Sequence, residues 1–306
     1  MKKIGVLGGH IAGIGFETSG LLIVQQLVEA KHIVTIWSED RRHCRGLRKL
    51  SKYKNNPTIS ISQEALLRRS DLVFLFSVDH NDVERWIGNN FEINAGDEKI
   101  LEGKGIIVVT RMVAGVSKRV QDTVEQKGGN YLEMQLERSS QGNDRLIVMA
   151  GGDKTLFDIA EPYFQSFSAH TVYIGETGSV CTAYLPLQLI KGVYLVGLAE
   201  IMHMAQQCGI EKGLICKLLR ELGHSKYITN KADKITKGLF TITEQTLEEL
   251  QENIQLGMYL NQELQEPVPL KVCSAVNQRL LLDDKYDDHG GFDSSIIFTI
   301  FEKNEA

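Results

Sequence analysis

The chain is 306 residues long, enough for two domains with ample core, since domains run at roughly 100–200 residues each. Its 34 basic residues against 39 acidic ones give a net charge of −5, which excludes a global pull toward nucleic acid or an anionic membrane. Five scattered cysteines (Cys44, Cys181, Cys208, Cys216, Cys273) without a C-x-x-C pair exclude a disulfide framework and indicate a reducing, intracellular compartment.

The elements follow in chain order. Lys2-Lys3 leads straight into an apolar strand over 4–7, not into a signal-peptide core. Gly8, Gly9, Gly13, Gly15 and Gly20 come next. A dinucleotide loop needs G-x-G-x-x-G directly after the strand: one glycine for the turn, one for the approach of the pyrophosphate, one for helix packing. No frame supplies all three. His10 takes the second place in the first frame, Thr18 the third place in the next, and Glu17 the second place in the last.

A helix over 21–30 and a strand over 33–37 follow. Arg41, Arg42, Arg45, Arg48, Lys49, Lys52 and Lys54 then concentrate seven positive charges. They read as a phosphate or nucleic-acid contact, as a nuclear-import signal, or as a solvated helix. The solvated helix is favoured, because only Tyr53 interleaves and the chain is acidic overall. Further strands over 72–76, 105–109, 131–135, 146–150 and 171–175 alternate with helical stretches such as 65–69. Most are continuous apolar runs, as in strands buried on both faces. The alternation predicts a Rossmann-like, doubly wound parallel sheet. Ser77-Val78-Asp79 follows one of these strands and Thr110-Arg111 another; a surface arginine is the plainer reading of Arg111. Gly128-Gly129 reads as a helix stop.

After Gly178 the pattern turns helical, with no convincing strand to about residue 279. From Val180 to Met204 the chain is apolar nearly all round, which predicts a helix buried on every side. Pro186 lies inside it, at a cost of ~3 kcal/mol for a mid-helix proline. No apolar run approaches the ~20 residues of a membrane span. Helices over 212–222, 243–264 and 270–282 are predicted, then an acidic loop over 283–288 and an apolar tail over 296–301. The expected division is 1–177, Rossmann-like, and 178–306, all-helical.

A Rossmann-like half, a long apolar helix and an all-helical half resemble the β-hydroxyacid dehydrogenases, the relatives of 3-hydroxyisobutyrate and 6-phosphogluconate dehydrogenase. Thr35-Ile36-Trp37, Tyr131-Leu132-Glu133, Ala150-Gly151-Gly152-Asp153, Gly175-Glu176-Thr177-Gly178, Gly197-Leu198-Ala199-Glu200 and Asp293-Ser294-Ser295 fall in family order. Together they look most like the branch of the dehydrogenase-like domain of the nuclear factor NPAC, also called the glyoxylate-reductase homologue. The upstream PWWP domain of that branch is not expected here.

The resemblance implies positions that can be checked one at a time. The family's catalytic lysine, an ammonium that exchanges a proton with the developing alkoxide, falls on Thr182. Its asparagine falls on Leu185 or Pro186. Lys191 is nine residues on and faces the other side of the helix. The family's serine-glycine carboxylate grip falls on Glu137-Arg138, where Glu137 would repel an acidic substrate. A further family lysine falls on Glu252. Counting back from strand two favours the glycine frame of Gly15 and Gly20 around Glu17, with 8–14 as an insertion. Glu17 would then oppose phosphate. Trp37 takes the usual ribose-acid position; Ser38 and Arg41 could still hold a 2′-phosphate, with Glu39 opposing it.

The catalytic positions (Thr182, Pro186, Glu137) therefore read as degenerate. The cofactor positions (Gly8, Gly15, Gly20, Ser38, Arg41) read as vestigial, with NADP the cofactor if there is one. No metal site is expected, since no H-E-x-x-H and no paired His/Cys cluster occurs. Three readings stay open. One is a non-catalytic scaffold that oligomerises through its helical half, as a homodimer, a homotetramer or a pairing with a related chain. By the resemblance it would be nuclear rather than cytoplasmic, chromatin-associated, with nuclear protein partners. The second is an NADP-dependent oxidoreductase of small β-hydroxyacids or aldehydes with a rebuilt site, in which Arg111 or Arg138 would matter. The third is an NADP sensor without turnover. The convergent losses favour the first. No membrane partner is expected, and nucleic-acid contact only through the basic stretch from Arg41 to Lys54.

Overall fold

A computed structural model describes residues 4–8, 20–38, 57–77, 83–84, 87, 100–138, 145–241, 243–281 and 290–303. The rest of the glycine-rich stretch, including Gly15 and Glu17, and the basic stretch with Arg41 lie outside the described residues, as do Val78, Asp79 and the 283–288 loop. The chain forms two compact units, Met1–Ala183 and Tyr184–Ala306.

The first unit is built on an eight-stranded sheet: β1 (Ile4–Gly8), β2 (Val34–Ser38), β3 (Thr58–Ile59), β4 (Leu72–Phe76), β5 (Gly105–Val109), β6 (Asn130–Arg138), β7 (Leu146–Gly152) and β8 (Ser168–Gly175), in the order β3-β2-β1-β4-β5-β6-β7-β8. Among its described residues the helices are α1 (Leu21–Glu29), α2 (Gln63–Arg69), α3 (Ala114–Gln126) and α4 (Lys154–Phe164). Strand β4 is buried at every position, as its continuous apolar sequence predicts. Two apolar clusters flank the sheet. One holds Phe74, Leu132, Met134 and Phe164; the other holds Val73, Leu75, Tyr131 and Val124. The period-two alternation of strand side chains assigns Leu132 and Met134 to one face and Tyr131 to the other.

Two corrections concern the sheet. It is mixed rather than all parallel, because β6 and β7 pair antiparallel from Leu132↔Gly152 to Arg138↔Leu146. The short connection between these strands is too brief for the crossover that parallel pairing demands. Strand β3 is an addition to the predicted set; two residues after Pro57 carry no alternation to detect. Helix α3 ends where the glycine pair stands, with Gly128 at φ 84°.

The second unit contains most of α5 (Ser179–Gln207), then α6 (Lys212–Glu221), α7 (Lys226–Lys237), α8 (Leu247–Gln262), α9 (Lys271–Leu281), a 3-10 turn (Ser294–Ile297) and α10 (Phe298–Lys303). Among its described residues no strand occurs, only an isolated bridge between Thr246 and Asp293. Helix α8 starts at Leu247 and not at residue 243. Thr246 caps it and Glu249 reaches back to the Thr246 N–H, a complete capping box.

Helix α5 corrects the sequence reading twice. It is not buried on every side: Leu195, Val196, Ala199 and Met202 are buried, while Leu187, Ile190, Tyr194, Ile201 and Met204 are exposed. By length and composition alone it could also cross a membrane, with a mean hydropathy of 1.4 over its best window, and 44% of that window is buried in the protein. Lys191 and Glu200 interrupt the apolar run without lowering its average enough to exclude a span.

The apolar tail is also not a free surface. Ile296, Ile297 and Phe298 are buried in the core of the second unit. A charged anchor fixes the tail there. Asp293, fully buried, accepts from Lys231 Nζ at 2.7 Å, Lys234 Nζ at 2.5 Å and the Ser295 hydroxyl at 2.7 Å. Burial pushes the Asp293 carboxyl up, but Lys231, Lys234 and Ser295 outweigh it and hold it below the usual range. Burial in turn draws the Lys231 ammonium below its ordinary value, against the pull of Asp293.

Candidate functional site

The strand order reverses between β2-β1 and β4-β5, which makes the carboxyl ends of these strands the topological switch point where open α/β sheets bind ligands. The register brings Gly8 opposite Ser38 on one side and Phe76 on the other. Gly20 is the residue before α1. Two of the described candidate cofactor positions, Gly8 and Ser38, are therefore neighbours, and the third opens the first helix.

Two hydroxyls at this edge are buried without a hydrogen-bond partner: Ser38 Oγ at the end of β2 and Thr110 Oγ1 after β5. Three strand spacings, ~14 Å, separate them. Buried polar atoms are nearly always bonded, so an orphaned hydroxyl at a switch point fits a position that a ligand or water completes. The Thr110 carbonyl is held by Gln135 Nε2 at 2.6 Å, which ties the segment after β5 to β6. Ser77 donates its backbone N–H to the Val109 carbonyl at 3.5 Å.

The positions where the resemblance expects catalysis are occupied differently. Thr182 donates its hydroxyl to the Gly178 carbonyl at 2.9 Å, an ordinary helical back-bond. Leu185 is buried, and Pro186 is exposed within a helix that continues through it. From Ser179 to Ile190 the sequence has no lysine, histidine, aspartate or glutamate. Glu137 is partly exposed and Arg138 exposed, both at the end of β6. Lys191 lies near the Tyr227 ring, with Nζ 5.9 Å from its centroid. Glu252 is half-buried on α8.

The structure also builds a polar centre that sequence reasoning does not find. Glu133 is buried in the middle of β6, on the face that carries Tyr131. One oxygen, Oε1, accepts from the backbone N–H groups of Gly178 at 2.9 Å and Val180 at 2.8 Å. The other, Oε2, accepts from the Ser117 hydroxyl and from the Cys181 thiol at 3.3 Å. Tyr131 extends the network to Ser117 at 2.9 Å. The carboxylate thus sits at the N-terminus of α5, satisfies two of its orphan donors and faces the positive end of its dipole.

Burial pushes the Glu133 carboxyl above the usual carboxylate range, and its four donors pull it back. Burial and the nearby carboxylate push the Cys181 thiol well above its ordinary value, so it is a poor nucleophile. With four donors on its two oxygens, Glu133 is structural and fastens the start of α5 to the sheet. A signal for it was present, since a carboxylate in the centre of an apolar strand must find partners. Among the described residues no group of three His, Cys, Asp or Glu side chains could hold a metal ion.

Comparison with known proteins fits this architecture. Residues 10–175 match the model of the NAD binding domain of 6-phosphogluconate dehydrogenase. The chain is 25% identical over 300 residues to the cytokine-like nuclear factor N-PAC of Anopheles gambiae, covering 97% of this chain and 50% of that protein. It is 23% identical to glyoxylate/succinic semialdehyde reductase 2 of Arabidopsis thaliana, covering 87% of this chain and 73% of that one. The chain thus spans about half the length of the N-PAC relatives it matches. The crystal structure of 3-hydroxyisobutyrate dehydrogenase from Salmonella typhimurium superposes with a TM-score of 0.80 over 98% of this chain and 100% of that one, at 16% identity. With a family match over more than half its length and the same order of sheet and helices, the chain belongs to the family of the 6-phosphogluconate dehydrogenase NAD-binding domain, among β-hydroxyacid dehydrogenase-like proteins close to N-PAC.

Proposed function

We propose that this chain is a dehydrogenase-fold protein that has left catalysis and acts as an oligomerising, partner-binding scaffold. One observation carries the reading. The first three turns of α5, where the resemblance expects the proton-exchanging lysine, hold no lysine, histidine or carboxylate, and the Thr182 hydroxyl there is engaged by the Gly178 carbonyl. A threonine hydroxyl cannot exchange a proton with an alkoxide near neutral pH. The likeness to nuclear factors supports a nuclear, chromatin-associated place for it.

A second reading has its own support. The orphaned hydroxyls of Ser38 and Thr110 at the switch point fit a retained nucleotide site. NADP would lie at this edge, with Gly8 at the turn and Ser38 toward the ribose. A bound nicotinamide supplies hydride transfer, but a sensor needs only the binding. Melting temperature with and without NADPH separates the two readings, because a ligand at 100 times its dissociation constant stabilises by about 2.7 kcal/mol. The scaffold reading expects no shift. A shift lost in Ser38→Val would establish the sensor instead.

A further inference from the structure

A cavity of the first unit lies apart from the switch point. It encloses about 420 Å³ and is lined by Arg145, Glu161, Gln165, Ser168, Ala169, His170 and Thr171, a size within the range of small-ligand sites. Leu146 at the start of β7 pairs with Arg138 at the end of β6 and with Ser168 at the start of β8. The cavity therefore lies at the same edge of the sheet as the switch point. Strands β7 and β8 stand two and three strand spacings from β5, ~10 and ~14 Å away.

Two opposite charges line it. Arg145, just before β7, donates from Nη2 to the Gln165 carbonyl at 2.6 Å, which helps cap the end of α4. A guanidinium carries five N–H donors, and this bond uses one. Its Nε is buried and has no partner, although native structures rarely leave such a donor unmade. Glu161 stands half-buried in the last turn of α4. Neither Arg145 nor Glu161 forms an ion pair among the described residues. The guanidinium suits a carboxylate, whereas Glu161 and the negative end of the α4 dipole suit a cation. Ser168 and Thr171 bond to each other through their hydroxyls at 2.9 Å, which leaves one hydroxyl proton to donate.

We propose that this cavity binds a small zwitterion, a free α-amino acid, with its carboxylate on Arg145 and its ammonium on Glu161 at the end of α4. A simple anion would meet the Glu161 carboxylate, and a simple cation would meet Arg145. A ligand that carries both charges answers each of them. Among the lining residues only Ala169 is without a polar side chain, so the amino acid is one whose own side chain is small or polar. Binding there needs neither catalysis nor NADP, and it gives the first unit a ligand that the scaffold reading does not require.

The test is the melting temperature of the full chain with each of the protein amino acids at about 10 mM, which stabilises wherever it exceeds the dissociation constant. Sodium acetate, methylammonium chloride and inorganic phosphate run alongside as single-charge probes. At least one small or polar amino acid should raise the melting temperature, and none of the single-charge probes should match it. Arg145→Gln and Glu161→Gln should each weaken its binding about tenfold or more in calorimetric titration. Glu161→Gln leaves the bond from Arg145 to Gln165 in place, so it tests the cavity independently of the cap of α4. No shift with any amino acid overturns the proposal. Acetate or phosphate that binds as tightly, and tighter still in Glu161→Gln, overturns it in favour of a plain anion site. Binding that survives both substitutions puts the amino acid elsewhere and overturns it as well.

Discussion

In the first unit the sheet buries apolar side chains on both faces, and among its described residues only Ile33, Ile61, Ile159 and Val172 are large, apolar and exposed. Every other exposed large apolar side chain of the described residues lies in the second unit, and five of them line one stripe of α5. The two units also treat buried charge differently. Glu133 in the first is held by hydroxyl, thiol and backbone donors, whereas Asp293 in the second faces two lysines. The first unit is a finished core that leaves few large apolar side chains exposed among its described residues. The second is a core held shut by an ion pair, with an apolar stripe of α5 left exposed.

The largest expected effect breaks the second unit. Asp293→Ala strands the buried Lys231 ammonium, and removing one partner of a buried pair costs about 3–5 kcal/mol. Urea unfolding should show that loss together with release of the 290–303 tail to proteolysis. If the tail stays protected, Asp293 is not its anchor. Next in size, Glu133→Ala should cost about 3 kcal/mol, since it removes the acceptor of the Gly178 and Val180 N–H groups and of the Cys181 thiol and leaves the Ser117 hydroxyl only Tyr131. Glu133→Gln keeps one acceptor oxygen and should cost less. Equal losses would show that charge, and not the acceptor count, matters there.

Acid sharpens the contrast through opposite signs. Asp293 is held below its unfolded value, so its contribution is present above that value and lost as pH falls through the folded one. Glu133 is held above its unfolded value, so the folded state binds its proton first, and stability from this group rises as pH falls through that window. Hydrogen exchange on acidification should therefore open the second unit before the first. The reverse order would contradict both assignments. The smallest effect is local: Thr246→Ala removes the cap of α8 and should cost about 1 kcal/mol, measured as a shift in the urea midpoint.

Much of the first unit is legible in the sequence, because β4 and β5 are continuous apolar runs with turn residues at both ends. The antiparallel β6–β7 pair leaves no trace in composition, and only the brevity of the connection between the two strands signals it. Helix α7 is hidden because a lysine, Lys231, occupies one of its core positions and breaks the apolar period. The exposed stripe of α5 is hidden for another reason. A helix apolar all round gives no contrast between a core face and an exposed face, so periodicity reads both as buried. Glu133 is visible only as a landmark in a motif; its donors come from residues 117, 178, 180 and 181, which no local pattern joins to it.

The proposed loss of catalysis is tested most directly by following NADPH oxidation through its near-ultraviolet absorbance with glyoxylate and with succinic semialdehyde, using protein whose melting curve shows it folded. The account predicts a rate indistinguishable from that without protein for both substrates. A protein-dependent rate that falls on changing Arg111 or Arg138 would contradict it and establish a rebuilt reductase.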